Sequence, residues 1–408
     1  MLKDRFILLG VSGGIACYKA VELLRLLKQA GAHVTVVMTS NAQKFVTPLT
    51  FQTLSGNPVL TDILHLEDQS EMEHISAVDR SDLFVIAPAT ANIIGKIANG
   101  VADNRVTTMV LACTTPLLIA PAMNVHMWEN PVVQQNIAKL KTLCHQIIEP
   151  GEGELACGYV GAGRMAEPEV ILEHIQQVLG PQDLRGETVL VTAGPTQEAI
   201  DPVRLLTNRS SGKMGYALAQ AAKRRGARVI LVSGPVRIPF PTGVEYRSVT
   251  TTQEMRDAVM EAFTEATVII KAAAVSDFQP AVAHSQKIKK AKGKAQWTLK
   301  ETPDILKELG RKKGSKILIG FAAETERIEE NARKKLLSKN LDLIVANNVV
   351  EPGAGFEVDT NRATLIDKMG KIEGLPLMPK TQLASKILDR VIALRQQNKV
   401  RPPKRIHS

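Results

Sequence analysis

Cysteine is scarce. The 408 residues contain four, Cys17, Cys113, Cys144 and Cys157, with no CxxC pair and no dense spacing. That excludes a disulfide-stapled scaffold and fits a reducing, cytoplasmic setting. Aromatic residues are only 4% of the chain, which disfavours a nucleic-acid binder built on base stacking. No apolar run approaches the ~20 residues that span a bilayer. The opening stretch, MLKDRFILLGVSGG, runs straight into a glycine turn and reads as a first strand rather than a signal peptide. Glycine (28) and proline (21) are too few for a low-complexity chain.

What is present is ordinary globular composition, 44% apolar and 23% charged, in a chain long enough for two to four domains. The net charge of +10 is unevenly spread. Residues 1–180 hold 12 Lys and Arg against 17 Asp and Glu, a net of −5, and residues 181–408 hold 39 against 24, a net of +15. A basic half reads either as a solvated surface or as a site for a phosphate-rich substrate or partner. Nucleic acid stays open on charge alone.

The two halves share one grammar. Phe6 to Val11 predicts a strand, Ser12-Gly13-Gly14 a turn, and the next residues an amphipathic helix to about Ala30. Gly31 ends that helix and His33 to Met38 predicts a second strand. Further strands are expected at Leu83–Ala87 and Leu117–Ala120, each ending in a loop that contains proline. The pattern restarts near residue 186, with strands at Thr188–Thr192, Arg228–Val232 and Thr267–Ile270. A long polar loop is expected at Ala193–Ser211, followed by a helix from about Met214 to Arg225. The fold class is therefore α/β, with two Rossmann-like domains, each a mostly parallel sheet covered by helices on both faces. A turn pair at Gly180-Pro181 sets the boundary: 1–180, then 181–395, with 396–408 as a disordered basic tail.

In open parallel sheets, ligands bind beyond the carboxyl ends of the strands. In the first half that position holds Ser12 and Gly13, then Ser40, then Thr90 and Asn92 of APATAN, a set suited to a nucleotide-like cofactor. His74 precedes a strand, Asn124 in PAMN follows one, and Cys157 lies in the glycine-rich GEGELACGYVGAGRM, which reads as a flap. Cys113 sits in an apolar, strand-like context and is a weaker candidate for reactivity. In the second half SSGK invites a Walker A reading. However, Thr207 stands where that motif needs its first glycine, and Met214 follows Lys213, so a P-loop ATPase is rejected. AAAVSDF places Asp277 beyond a strand as a helix cap, a metal ligand or a ribose contact. KIKKAKGK packs Lys287, Lys289, Lys290, Lys292 and Lys294 into eight residues.

GVSGGIA, HISAVDRSD, APATAN, PAMN and ACGYVGAGRM, in that order, resemble the flavin-dependent phosphopantothenoylcysteine decarboxylases. TAGPTQEAIDPVR, TNRSSGKMG, AAAVSDF, KIKK and GFAAET resemble phosphopantothenate–cysteine ligase. The resemblance covers about residues 5 to 390 and implies a bifunctional coenzyme A biosynthesis enzyme. For 1–180 it implies FMN at Ser12, Gly13, Ser40, Thr90 and Asn92. His74 would be the base, Asn124 the carboxylate anchor and Cys157 the proton donor.

For 181–395 the resemblance implies that CTP activates 4′-phosphopantothenate as an acyl-cytidylate, which the amine of cysteine then attacks. Asn208 would hold that intermediate, and Arg204 and Lys287 would serve its turnover. CTP would lie against Ala273, Asp277, Lys287, Pro303, Asp304, Ile305, Leu306, Phe321, Lys335 and Lys339, with Mg²⁺ at Asp277. Departures from the family pattern, Ser276 and Thr302, touch none of the positions mapped as catalytic. The resemblance also implies a homo-oligomer, with trimeric decarboxylase units and dimeric ligase units combined into a dodecamer, and neither nucleic acid nor membrane as partner. The alternative from another class is a non-catalytic flavoprotein regulatory partner of the same fold.

Overall fold

The computed structural model describes residues 2–61, 76–154, 160–289, 296–324, 326–348, 353, 355 and 357–400. The chain forms two compact units, Met1–Gly180 and Pro181–Ser408.

The first unit is a five-stranded sheet in the order β2-β1-β3-β4-β5, parallel throughout. Its strands are β1 (Phe6–Val11), β2 (His33–Met38), β3 (Leu83–Ala89), β4 (Leu117–Pro121) and β5 (Gln146–Ile147). Strand side chains alternate between faces. Ile7, Leu9 and Val11 of β1 therefore join Leu23, Leu24 and Leu27 of α1 (Cys17–Gln29) and Ile171 and Ile175 of α7 (Pro168–Leu179). Leu8 points the other way, into the cluster built by α3 (Ala91–Ala98), α4 (Arg105–Ala112) and α6 (Pro131–Thr142). Both faces are thus buried, as expected of a parallel sheet. Between these elements lie α2 (Pro48–Ser55) and the one-turn α5 (Val125–Trp128). An antiparallel pair, β6 (Gly151–Glu154) and β7 (Val160–Arg164), follows β5.

The second unit has an eight-stranded sheet in the order β12-β11-β8-β13-β16-β17-β19-β20. Its parallel part comprises β8 (Thr188–Ala193), β11 (Arg228–Ser233), β12 (Glu245–Ser248), β13 (Val268–Lys271), β16 (Ile317–Glu324) and β17 (Leu343–Asn348). Two strands, β19 (Ala363–Asp367) and β20 (Ile372–Gly374), add antiparallel at one edge. Two short antiparallel pairs lie outside the sheet, β14 (Phe278–Pro280) with β15 (Leu299–Glu301) and β18 (Thr360–Asn361) with β21 (Met378–Pro379). One face packs on α8 (Lys213–Arg224) and α12 (Lys380–Val400). The other packs on α9 (Thr252–Phe263), α10 (Ile305–Lys312) and α11 (Ile328–Ser338).

Four expectations need correction. The Ala193–Ser211 segment is not plain loop. It carries an antiparallel ribbon of β9 (Gln197–Ala199) and β10 (Leu205–Thr207), whose strands are too short and polar to show a pattern. The basic tail does not begin at 396: α12 runs to Val400. Leu383, Ile387, Leu388, Val391 and Leu394 bury one stripe of that helix, and the residues after Arg395 contain no breaker before Pro402. The rest of the tail, 401–408, lies outside the described residues. Cys113 is not in a strand but at the C-terminal cap of α4, a helix started by the Asn104 capping box. Finally, β3 does not stop short of proline. It continues through Pro88 to Ala89, across a shift in its register with β4.

Candidate active sites

The strand order of the first unit reverses direction at β1 and β3. In such sheets the crevice beyond the carboxyl ends of those two strands is where a ligand fits. Ser12 directly follows β1 and Thr90 directly follows β3, and the two loops are bonded together. The Ser12 hydroxyl donates to the Pro88 carbonyl (2.8 Å) and lies 3.2 Å from Thr90 Oγ1, while the Thr90 N–H donates to Ser12 Oγ (3.0 Å). Thr90 also caps α3, accepting from the Ile93 N–H. Gly13 closes the third side. A Cβ there would stand 2.5 Å from Asn41 Cβ and 2.8 Å from the Asn41 carbonyl carbon, so only glycine lets the β1 loop lie against the loop after β2 that holds Ser40. Ser40 and Asn92 are exposed at the rim. Hydroxyls, backbone N–H groups and a helix start thus converge in one cradle suited to a phosphate. The residues present fit a phosphate-bearing cofactor such as FMN.

Asn124 lies beyond β4, where it caps α5 by accepting from the His126 N–H (2.9 Å). Strand β7 is packed onto this loop. The Met123 N–H donates to the Gly163 carbonyl (2.9 Å), and Gly163 has φ +141° with its would-be Cβ only 2.4 Å from the Met123 oxygen. The root of β7 is tied down as well. Glu167 pairs with the buried Lys19 of α1 (2.8 Å) and with Arg164 (3.5 Å). His74 and Cys157 lie outside the described residues.

The second unit carries two adjoining clefts beyond the carboxyl ends of β8, β13, β16 and β17. The first, of 320 Å³, is lined by Ala273, Asp277, Phe321, Lys335 and Lys339 together with the run Pro303 to Leu306. These nine positions, scattered over 67 residues of sequence from Ala273 to Lys339, meet because successive parallel strands end side by side. Asp304 caps α10 through the Lys307 N–H (2.9 Å) and forms a close ion pair with Lys339. Burial pushes the Asp304 carboxyl up, but Lys339 and the Lys307 N–H outweigh it and the group stays below its usual range. The Lys335 ammonium donates to the Phe321 carbonyl (2.9 Å). Its burial lowers its pKa, with Glu324 and Asp277 opposing.

The second cleft, of 390 Å³, shares Ala273, Val275, Asp277, Phe321 and Lys335 with the first. It adds Asn208, whose amide donates to the Val275 carbonyl (2.9 Å), and Ser210, Gly212 and Lys213 at the start of α8. Asp277 faces both clefts and caps no helix. Among the described residues no group of three or more His, Cys, Asp or Glu could hold a metal ion. A single carboxylate beside a phosphate chain is, however, how Mg²⁺ is commonly held.

Two of the expected residues are elsewhere. Lys287 is exposed and lines neither cleft. Arg204 lines neither: its Nε is 3.2 Å from Asp201, its Nη2 donates to the Ile288 carbonyl (2.5 Å), and its guanidinium lies 5.9 Å from the Trp297 ring centre. Asp201 in turn accepts from the Val203 and Arg204 N–H groups (both 2.8 Å) and from the Ile288 N–H (3.2 Å). Asp201 and Arg204 therefore grip both sides of the Ile288 backbone, next to Lys287 and Lys289. Sequence reasoning missed Asp201, and it missed Lys271, which closes the otherwise apolar β13 and lines the first cleft. A charged residue ending the run VIIK was the available signal.

Residues 1–180 match the family described as flavoprotein, and residues 184–394 match that described as DNA/pantothenate metabolism flavoprotein C-terminal domain. The chain is 52% identical over 401 residues to the Coenzyme A biosynthesis bifunctional protein CoaBC of Bacillus subtilis (strain 168), covering 97% of this chain and 99% of that one. It is 45% identical over 396 residues to the protein of the same name from Vibrio vulnificus (strain YJ016), with 96% and 98% covered. A crystal structure of the C-terminal domain of a CoaBC protein is 42% identical, covering 53% of this chain and 99% of that one, with a TM-score of 0.47. Among the described residues no helix is long and apolar enough to cross a membrane. The chain belongs to the family of bifunctional coenzyme A biosynthesis enzymes, which join a decarboxylase and a ligase in one polypeptide.

Proposed function

We propose that residues 181–395 join 4′-phosphopantothenate to cysteine at the expense of CTP, and that residues 1–180 decarboxylate the product to 4′-phosphopantetheine with bound FMN. The observation that carries this reading is the pair of adjoining clefts with Asp277 between them. A nucleotide in the first cleft and a phosphorylated acid in the second would meet at that carboxylate. Lys335 and Lys339 offset phosphate charge in the first cleft, and Asp277 would hold Mg²⁺ against the triphosphate. In the second, Ser210, Gly212 and Lys213 at the start of α8 suit the substrate phosphate. Asn208, fixed by the Val275 carbonyl, holds the acyl-cytidylate while the cysteine amine attacks. Arg204 and Lys287 serve turnover from the basic strip that Asp201 anchors.

In the first unit Ser12, Gly13, Ser40, Thr90 and Asn92 hold FMN. When bound, FMN supplies reversible two-electron oxidation, which makes loss of carbon dioxide from the cysteine end feasible. Asn124 anchors the departing carboxylate as a neutral donor, His74 removes a proton from the substrate, and Cys157 returns one. Apolar side chains exposed in the second unit, Val203 and Leu205 at the β9–β10 ribbon and Phe278 and Leu299 on the antiparallel pair Phe278–Pro280 with Leu299–Glu301, support association of ligase units as dimers. Trimeric decarboxylase units would complete a dodecamer in the cytoplasm. A match along the whole of both chains favours the bifunctional enzyme over a non-catalytic flavoprotein partner.

The test is to purify the chain and fragments 1–180 and 181–408. Flavin absorbance in the first fragment, with CTP-dependent pyrophosphate release by the second, is the expected result. A colourless full chain, or pyrophosphate release that needs neither 4′-phosphopantothenate nor CTP, would overturn the assignment.

A further inference from the structure

Four lysines are buried among the described residues: Lys19, Lys271, Lys313 and Lys380. A buried ammonium is costly unless it is paired or hydrogen-bonded. Three of the four are. Lys19 meets Glu167 (2.8 Å), Lys313 meets Asp342 (2.8 Å), and Lys380 donates to the carbonyls of Val358 (2.6 Å) and Gly355 (3.0 Å). Lys271 has neither a hydrogen bond nor an ion pair among the described residues, although it is only 9% exposed.

Its position explains the cost. Lys271 ends β13, between β8 and β16 in the middle of the sheet, and its side chain lines the first cleft with Asp304, Lys335 and Lys339. The flanking strand residues Val268, Ile269 and Ile270 are fully buried and apolar, so the chain could have kept an apolar residue here. The neighbours do not satisfy it either. Asp304 and Asp277 attract it from across the cleft, but neither pairs with it, and Asp304 is already engaged by Lys339 and the Lys307 N–H. Burial, reinforced by the nearby positive Lys335 and only partly opposed by Asp304 and Asp277, lowers the Lys271 ammonium to about 8.

The geometry points to Lys271 as a further nucleotide-binding residue of the ligase, its ammonium contacting the phosphate chain of CTP in the first cleft. This rests on the reading of that cleft as the CTP site. An arriving phosphate supplies the acceptor that the protein withholds. It completes a group of three lysines, Lys271, Lys335 and Lys339, around one polyanion. A charge-assisted hydrogen bond of this kind is worth roughly 10- to 100-fold in affinity.

The test uses the full chain and two variants, Lys271→Met and Lys271→Gln, so that one can stand in should the other fold poorly. Binding of CTP with Mg²⁺ is measured by calorimetry, and binding of the nucleoside cytidine by ligand-observed NMR. The expected result is that both variants bind CTP about 10- to 100-fold more weakly than wild type, while cytidine binds all three proteins alike. Wild-type affinity for CTP in a folded variant would overturn the proposal. An equal loss for cytidine would also overturn it, since the contact would then be to the base or ribose. If the wild-type chain itself bound no CTP, the cleft assignment would fall and take this proposal with it.

Discussion

Replacing Lys271 by Met should stabilise the second unit, and the gain should fade as pH rises. The substitution keeps a flexible unbranched stem and deletes the charge. The Lys271 ammonium falls from an ordinary 10.5 to about 8 because it is buried and faces Lys335, which together outweigh the attraction of Asp304 and Asp277. At about 1.36 kcal/mol for each tenfold change, that drop corresponds to roughly 3 kcal/mol. The sign follows from the proton balance. Below pH 8 Lys271 is charged both folded and unfolded, and the folded form bears the full penalty. Between pH 8 and 10.5 the folded form has released the proton that the unfolded chain still holds, so wild-type stability rises. Above 10.5 both are neutral and the penalty is gone. For a unit of this size, roughly 3 kcal/mol is a rise of about 6–12 °C in Tm. The assay is thermal unfolding of the full chain at pH 7, 8.5 and 10, following the transition that CTP shifts upward. Lower stability of Lys271→Met at pH 7 would refute the reasoning, as would a gap that does not shrink with pH. Higher stability combined with weaker nucleotide binding is what a residue kept for its ligand should show.

Asp201→Ala removes the acceptor for Ile288, Val203 and Arg204. It should lower ligase turnover while leaving CTP affinity near wild type, because among the described residues none of Asp201, Lys287 and Lys289 lines the first cleft; a calorimetric loss of CTP binding would contradict this. Gly163→Ala drives a Cβ toward the Met123 oxygen at a positive φ. Decarboxylation should fall at least tenfold with ligation intact, and steady-state assays of the two half-reactions on one preparation would expose any parallel loss. Cys157→Ser should still release carbon dioxide but accumulate an enethiol instead of 4′-phosphopantetheine, visible by mass spectrometry; normal product yield would remove Cys157 from the proton-donor role.

Much of the layout was legible because it is written in short-range patterns. The strands Phe6–Val11 and His33–Met38 stand where their apolar runs predict, and Gly31 and Gly226 separate helix from strand in both halves. What lacks a short-range pattern was not legible. The three-residue strands β9 and β10 are paired by tertiary context, and α12 outruns the basic composition that suggested a tail. Strand order, and hence the β1/β3 crevice, depends on crossovers that no local window records. The cleft was legible in part. The PDIL run, Asp277, Lys335 and Lys339 converge in the first cleft, whereas Arg204 and Lys287 lie apart from both clefts, on a segment gripped by Asp201. Lys271 went unnoticed because a single lysine after Val268-Ile269-Ile270 looks like a strand end. Only its place in the wall of the first cleft, mostly buried and with no hydrogen bond or ion pair among the described residues, gives it meaning.

The most direct measurement is a single-pot conversion. The purified chain is incubated with 4′-phosphopantothenate, cysteine, CTP and Mg²⁺, and pyrophosphate, carbon dioxide and 4′-phosphopantetheine are quantified together. The account predicts all three in equal amounts at completion, with carbon dioxide and 4′-phosphopantetheine lagging behind pyrophosphate while 4′-phosphopantothenoylcysteine builds up. Absence of 4′-phosphopantetheine in the presence of stoichiometric pyrophosphate, or no pyrophosphate at all, would contradict it.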